Sequence, residues 1–321
     1  MPFAMEPAGH GSAPSGAPPS AQGRARFEEH TAAILQKKQQ SVATGVKCGT
    51  CWLRRAFCIC DAAKAVPLGQ NIRFLVYMSR EDYLSGGDDA KLLQLAAPGR
   101  TTIFVHGRAG DDAALRAAVA AGDRKNTALL FPSDTAVDAT GWLRERGFGS
   151  RAAAPPAELS SSSSSSSSAA AVAAVAAASE EPPLLTVMVV DGVWAKARRM
   201  QTHLAKRVLP ADVLTVILSA AVVEKLNDGS SVYGRGQSKP GRMCTVEAIA
   251  LFLGEAGEGE ATIGGLVDLL LLNNEGLAGK VQVAEKAHWK TDGPHYGHPA
   301  WYFGRSLGET VQKSKYRGGQ D

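Results

Sequence analysis

The sequence predicts an α/β protein whose strands form a mostly parallel sheet with helices on both faces. Three observations carry that expectation. Five short apolar runs, Ile72–Met78, Thr101–Val105, Ala128–Phe131, Leu184–Val190 and Val213–Leu218, are nearly continuous rather than alternating, which is how strands buried on both faces read. Segments of helical spacing, Ala90–Ala97, Asp111–Ala121 and Ala136–Arg146, separate several of these runs, as they do in crossover-connected parallel sheets. The composition, 45% hydrophobic and 21% charged over 321 residues, is ordinary for a globular chain. Setting aside two low-complexity stretches leaves roughly 260 residues, enough for one sizeable core or a core with a small appendage.

The elements follow in chain order. Residues 1–26 are rich in Gly, Ala, Pro and Ser and are expected to be disordered. Residues 27–66 are read as a helix followed by a cysteine knuckle. The helix, over 27–46, is polar, with Ala32, Ala33, Ile34 and Leu35 as weak anchors. The strands and helices of the main domain are placed in 67–255. Residues 150–183 hold the Ser160–Ser168 tract and an Ala/Val run. Such a composition builds no core, so this stretch is read as a disordered insertion between two core elements. An Ala-rich helix over 169–178 is the alternative, marginal in isolation. Helical spacing returns at Thr245–Leu253, and a further apolar stretch runs Ile263–Leu272. Residues 256–321 are read as a C-terminal extension. Its tail carries His288, Trp289, His295, His298, Trp301 and Tyr302, then Lys313, Lys315 and Arg317. The spacing of His295 and His298 suits a metal, but no partner ligand stands nearby, so the pair is read as structural or surface.

The net charge of +4 and pI near 8.8 permit a polyanionic partner without requiring one. No apolar window reaches the length of a membrane span, and Leu266–Leu272 is far too short. The N-terminus lacks a basic region followed by an apolar one, so it is not read as a secretory signal. Its Ser and Ala content leaves an organelle address open, although only Arg24 and Arg26 are basic there, against Glu6, Glu28 and Glu29. The chain is expected to be soluble, intracellular, cytoplasmic or nuclear, with no membrane association and no obligate protein partner.

Four of the five cysteines are clustered: Cys48, Cys51, Cys58 and Cys60. In a reducing compartment this reads as a metal site before a disulfide set. Four thiolates suit tetrahedral zinc, each close pair clasping the ion from a tight turn. A partly vacant or redox-active cluster is the alternative. With all four positions filled by protein, such a zinc is structural. Trp52, Arg54, Arg55 and Phe57 lie between the pairs. They either stack bases and contact phosphates, or the two aromatics pack the knuckle onto the main domain.

The run Leu184–Val190 ends in Asp191-Gly192-Val193-Trp194. Ligands of open α/β sheets bind at the carboxyl ends of strands, and a carboxylate there can be an acid, a base or a clamp. The helix that follows would place Ala197, Met200, Leu204 and Val208 on one face, with Lys196, Arg199, His203 and Lys206 broadly opposite. Arg198 and Arg207 flank them. This is the densest positive patch in the chain. It is either a solvated face or a phosphate-binding one, and its place beside a strand-end carboxylate favours phosphate. A glycine-rich segment, Tyr233-Gly-Arg235-Gly-Gln237, precedes Cys244-Thr245-Val246-Glu247-Ala248. Thr245 can cap the next helix, and Glu247 lies in its first turn, where negative charge is favourable.

Four of these pieces, in this order, resemble the DTW-domain family of tRNA-uridine aminocarboxypropyltransferases. They are the cysteine cluster, the strand-then-proline loop Leu129-Leu130-Phe131-Pro132-Ser133-Asp134-Thr135-Ala136, Asp191-Gly192-Val193-Trp194 with its basic helix, and Arg235 followed by Cys244 to Ala248. The likeness covers roughly residues 46–255 apart from the insertion. The chain departs from the family pattern in four places. Val193 stands where the signature Asp-x-Thr-Trp has Thr, Met78-Ser79 where His-Pro is usual, Asp88-Asp89-Ala90 where Asn-Thr-Gly is usual, and Cys244 where Ser is usual.

The resemblance implies a SPOUT-like, knotted α/β fold and transfer of the 3-amino-3-carboxypropyl group of S-adenosylmethionine to N3 of a uridine in tRNA. The products would be acp3U and methylthioadenosine. It implies Asp191 and Trp194 at the reacting centre, and Pro132, Ser133, Asp134, Arg235, Thr245, Glu247 and Ala248 around the donor. Lys196, Arg198 and Arg199 would lie on the tRNA backbone, and structural zinc on the four cysteines. Asp191 would serve as a base toward the weakly acidic uracil N3 proton, or only orient the base. Trp194 either stacks on a base or wedges its loop. Two alternatives remain open: an S-adenosylmethionine-dependent RNA methyltransferase, and a zinc-containing RNA-binding protein without catalysis.

Overall fold

The computed structural model describes residues 20–149, 183–225 and 243–285. The Ser/Ala-rich insertion, Arg235 with its glycine-rich segment, and the histidine-bearing tail lie outside the described residues.

Six strands form one sheet: β1 Ile72–Met78, β2 Thr101–Val105, β3 Thr127–Leu130, β4 Val137–Asp138, β5 Leu185–Asp191 and β6 Leu214–Ile217. Their order is β2-β1-β5-β3-β6-β4, and every pairing is parallel. The five apolar runs of the sequence are the five long strands. β4 was not foreseen, because a two-residue edge strand leaves no periodicity to read.

Helices cover both faces. They are α1 Ala21–Ala43, α2 Leu92–Ala96, α3 Asp111–Ala120, α4 Ala139–Glu145, α5 Trp194–His203, α6 Ala220–Lys225, α7 Thr245–Glu255 and α8 Glu260–Glu285. Side chains alternate across a strand, so each strand feeds both layers. Phe74, Val76, Met78, Val187 and Val189 face one core with Leu92, Leu143, Val246, Phe252 and Leu270. Leu75, Tyr77, Met188 and Val190 face the other, with Leu115, Val119, Met200 and Leu204. Each such side chain removed from water contributes roughly 1.5–3 kcal/mol, which is why the two longest apolar runs, β1 and β5, lie inside the sheet.

Two boundaries differ from the sequence reading. α1 begins at Ala21, inside the stretch expected to be disordered, because Ser20 accepts a hydrogen bond from the Gly23 amide at 3.1 Å and so caps the helix. The segment after Ala256, set apart as an extension, opens with α8, whose Leu266, Val267, Leu269, Leu270 and Leu277 belong to the same core as the cysteine knuckle and β1. No helix among the described residues is long and apolar enough to cross a membrane.

Candidate functional site at the carboxyl ends of the strands

β5 lies between β1 and β3, although those strands come earlier in the chain. The connections therefore diverge from its carboxyl end, where doubly wound sheets open a crevice. A cavity of about 190 Å³ lies there, lined by Phe131 and Pro132 after β3, Gly192 and Trp194 after β5, Leu218 after β6, and Met243 to Thr245 with Ala248 at the start of α7. One water occupies roughly 30 Å³ in the liquid, so this space suits an organic ligand.

The register places Asp191 opposite Met78 at the sheet's carboxyl edge. Its carboxyl is buried, 5% exposed, and does not itself line the cavity. Thr245 does line it, and its hydroxyl donates to Asp191 Oδ1 at 2.6 Å. Thr245 is held in place by a capping box. Cys244 Sγ accepts from the Glu247 amide at 3.4 Å, and Glu247 Oε2 accepts from the Cys244 amide at 3.2 Å. Glu247 is thereby turned inward and stays off the cavity wall.

Behind Asp191 lies an acidic group the sequence reading did not assemble. Asp88 and Asp89 are buried, and the Asp88 carboxyl is hydrogen-bonded to Asp191. Burial first, and then the Asp191 charge, push Asp88 well above the ordinary carboxylate range, and Lys91 offsets only part of this. Burial raises Asp191 too, and the nearby Asp89 and Asp82 add to it; the hydrogen bonds from Asp88 and Thr245 pull the other way. Burial thus holds both carboxyls above the ordinary range, Asp88 well above it, while Asp191 Oδ1 accepts from Thr245. Asp89 Oδ2 and Ser133 Oγ are buried without a hydrogen-bond partner among the described residues. The only hint in sequence was the Asp88-Asp89-Ala90 departure, and its distance from Asp191 along the chain concealed the contact.

The remaining residues of interest divide. Trp194 opens α5, lines the cavity and sits 6.1 Å from the Phe131 ring, centroid to centroid. Pro132 lines the cavity; Ser133 and Asp134 continue its loop outside the lining. Along α5 and the turn after it, Ala197, Met200, Leu204 and Val208 are buried, whereas Arg198, Arg199, Lys206 and Arg207 are exposed. Lys196 pairs with Glu81 at 3.2 Å. The basic face thus points to solvent on a helix whose Trp194 and Ala197 line the cavity.

The four cysteines converge with their sulfurs all within 4.8 Å of one another. Cys48 and Cys60 are 3.6 Å apart, and Cys51 and Cys58 are 3.7 Å apart. A tetrahedral ion with bonds of roughly 2.3 Å separates its sulfurs by about 3.8 Å, so the donor set fits zinc. Burial pushes the Cys51 and Cys60 thiols up, as do neighbouring thiols. Burial acts on Cys48 likewise, but hydrogen bonds from the Cys51 and Thr50 amides, joined by the Cys60 and Cys58 thiols, outweigh it and lower that thiol to about 6. Trp52, at φ 59°, turns inward and meets the Tyr83 ring edge-on at 5.4 Å. Of the two roles open to Trp52, the packing role is the one observed. Leu53 seats against Gly276 of α8, where any Cβ would stand 2.7 Å from Leu53.

Comparison with curated proteins and with solved structures gives no match. The family model for the DTW domain matches residues 45–274. That span opens just before the cysteine knuckle, takes in the whole sheet and the cavity, and closes within α8, and the chain belongs to the DTW-domain family.

Proposed function

We propose that this chain modifies tRNA by transferring the 3-amino-3-carboxypropyl group of S-adenosylmethionine to N3 of a uridine, giving acp3U and methylthioadenosine. Family membership is consistent with a tRNA-modifying role. The observation that carries the finer reading is the strand-end cavity with a carboxylate behind its wall and a basic helix at its mouth. The carboxylate answers the need for a proton acceptor, since the uracil N3 proton must leave before nitrogen can attack. The sulfonium is its own activated leaving group. What the protein must supply is placement of the methylene beside sulfur, in line with N3.

On this reading the fold is SPOUT-like, with the donor held between the loops after β3, β5 and β6 and the start of α7. Pro132, Ser133, Asp134, Thr245 and Ala248 would hold the donor, with Glu247 fixing the turn. Arg235, outside the described residues, would pair with the donor's carboxylate or with a phosphate. Trp194 stacks on a base at the mouth, its edge propped by Phe131. Arg198 and Arg199, with Lys196, take the tRNA backbone. Zinc on Cys48, Cys51, Cys58 and Cys60 locks the knuckle against α8.

Nucleoside mass spectrometry of tRNA incubated with pure protein and S-adenosylmethionine tests this. A gain of about 101 Da on uridine is expected, and a gain of about 14 Da would instead identify methyl transfer from the same cofactor. Binding of tRNA with no consumption of the donor would leave an RNA-binding protein without catalysis.

A further inference from the structure

We propose that Thr245 is the catalytic residue that touches the uracil, and that Asp191 receives the N3 proton only through it. This rests on the transfer reading above. Asp191 is enclosed: it is 5% exposed, and its Oδ2 has almost no accessible surface. Neither Asp88 nor Asp89, which flank it, lines the cavity. Among the described residues, the polar side chain that both lines the cavity and bonds Asp191 is Thr245.

The hydrogen-bond inventory then fixes what the cavity meets. A hydroxyl has one proton and two lone pairs. Thr245 gives its proton to Asp191 Oδ1 at 2.6 Å, the length of a charge-assisted O–H···O bond. What remains on Thr245 Oγ1 is acceptor capacity. Such a group reads an N–H donor, and the N3–H of a uracil is one. In the step, N3–H passes its proton to Thr245 Oγ1 as the Thr245 proton passes to Asp191 Oδ1. The freed N3 lone pair forms the bond to the methylene carbon. The carbon–sulfur bond breaks, its electron pair going to the sulfonium, which leaves as a neutral thioether. Asp191 ends protonated and returns its proton to solvent after product departs. The charged and titratable groups around this relay are Asp82, Asp88, Asp89, Lys91 and Cys244.

Thr245→Val keeps the shape and removes the hydroxyl, whereas Thr245→Ser keeps the hydroxyl. Single-turnover transfer at saturating donor should fall about 10²–10⁴-fold in the valine variant, the usual range for losing a proton-transfer group, and the serine variant should recover most of it. Calorimetry should show the valine variant losing far less in S-adenosylmethionine affinity than in turnover, because Pro132 and Ala248 still line the donor's side of the cavity. Carboxyl ¹³C titration should show Asp191 ionising at higher pH in the valine variant, since a hydrogen bond to its charged form is gone. The relay is overturned by a valine variant that turns over at the wild-type rate, by one whose whole defect lies in donor affinity, or by an unmoved Asp191 titration. A wild-type protein that binds donor and tRNA yet leaves uridine unmodified overturns the transfer reading instead, and the relay with it.

Discussion

Removing the metal from the cysteine knuckle should unfold that knuckle while the sheet survives. Three apolar side chains dock it: Trp52 and Leu53, each 2% exposed, and Ile59 at 5%. At roughly 1.5–3 kcal/mol each, they contribute about 5–9 kcal/mol. Ordering the backbone from Cys48 to Cys60 costs about 13–26 kcal/mol, at roughly 1–2 kcal/mol per residue. The deficit, about 4–21 kcal/mol, brackets the roughly 10–16 kcal/mol that a structural zinc supplies at neutral pH. Apolar docking therefore does not hold the knuckle without the ion. The assay is hydrogen exchange read by mass spectrometry, before and after a strong chelator, alongside metal analysis expecting about one zinc per chain. Amides of residues 46–60 should lose protection, and those of β1 and β5 should keep theirs. α8 should loosen near Gly276, where Leu53 is seated. Unchanged protection of 46–60 in protein shown to be metal-free would refute the reasoning.

Two further outcomes follow from the same geometry. Asp88→Asn should raise the melting temperature by a few degrees near neutral pH, at roughly 2–4 °C per kcal/mol for a domain of this size. Native Asp88 is pushed well above the ordinary carboxylate value of 3.8 by burial and then by Asp191, so the folded state holds a proton that the unfolded chain has released. Stability therefore falls as pH rises through 3.8 toward the folded value. Asparagine does not ionise, so calorimetric scans should show the gain vanishing in acid, and a gain that persists there would contradict a raised Asp88 carboxyl. Replacing Lys196, Arg198 and Arg199 together with alanine should make the salt dependence of tRNA binding shallower by about two to three units of slope. An unaltered slope in filter-binding titrations would show that this face of α5 meets only solvent.

Much of the fold was legible along the chain because its signals are local. Runs such as Ile72–Met78 are apolar throughout since both faces of their strands are covered, and α5 shows its basic and buried stripes at helical spacing. The cysteine cluster was legible because its ligands lie within one short segment. Asp191 stood out at the end of a strand for the same reason. The two-residue β4, the start of α1 at Ala21 and the union of α8 with the main core depend on pairing, capping and packing partners that no single window contains.

The candidate site shows the limit most clearly. Sequence named Asp191 and Thr245 separately, but a hydrogen bond between residues so far apart follows only from β5 running between β1 and β3. Folding alone brings Asp88 to the same carboxylate, and burial there, not residue type, raises both acids above the ordinary carboxylate range. Residue chemistry thus set the available groups. Their order of contact, with a hydroxyl in front and a carboxylate behind, comes from the tertiary structure, because exposure and hydrogen-bond direction are properties of the packed chain.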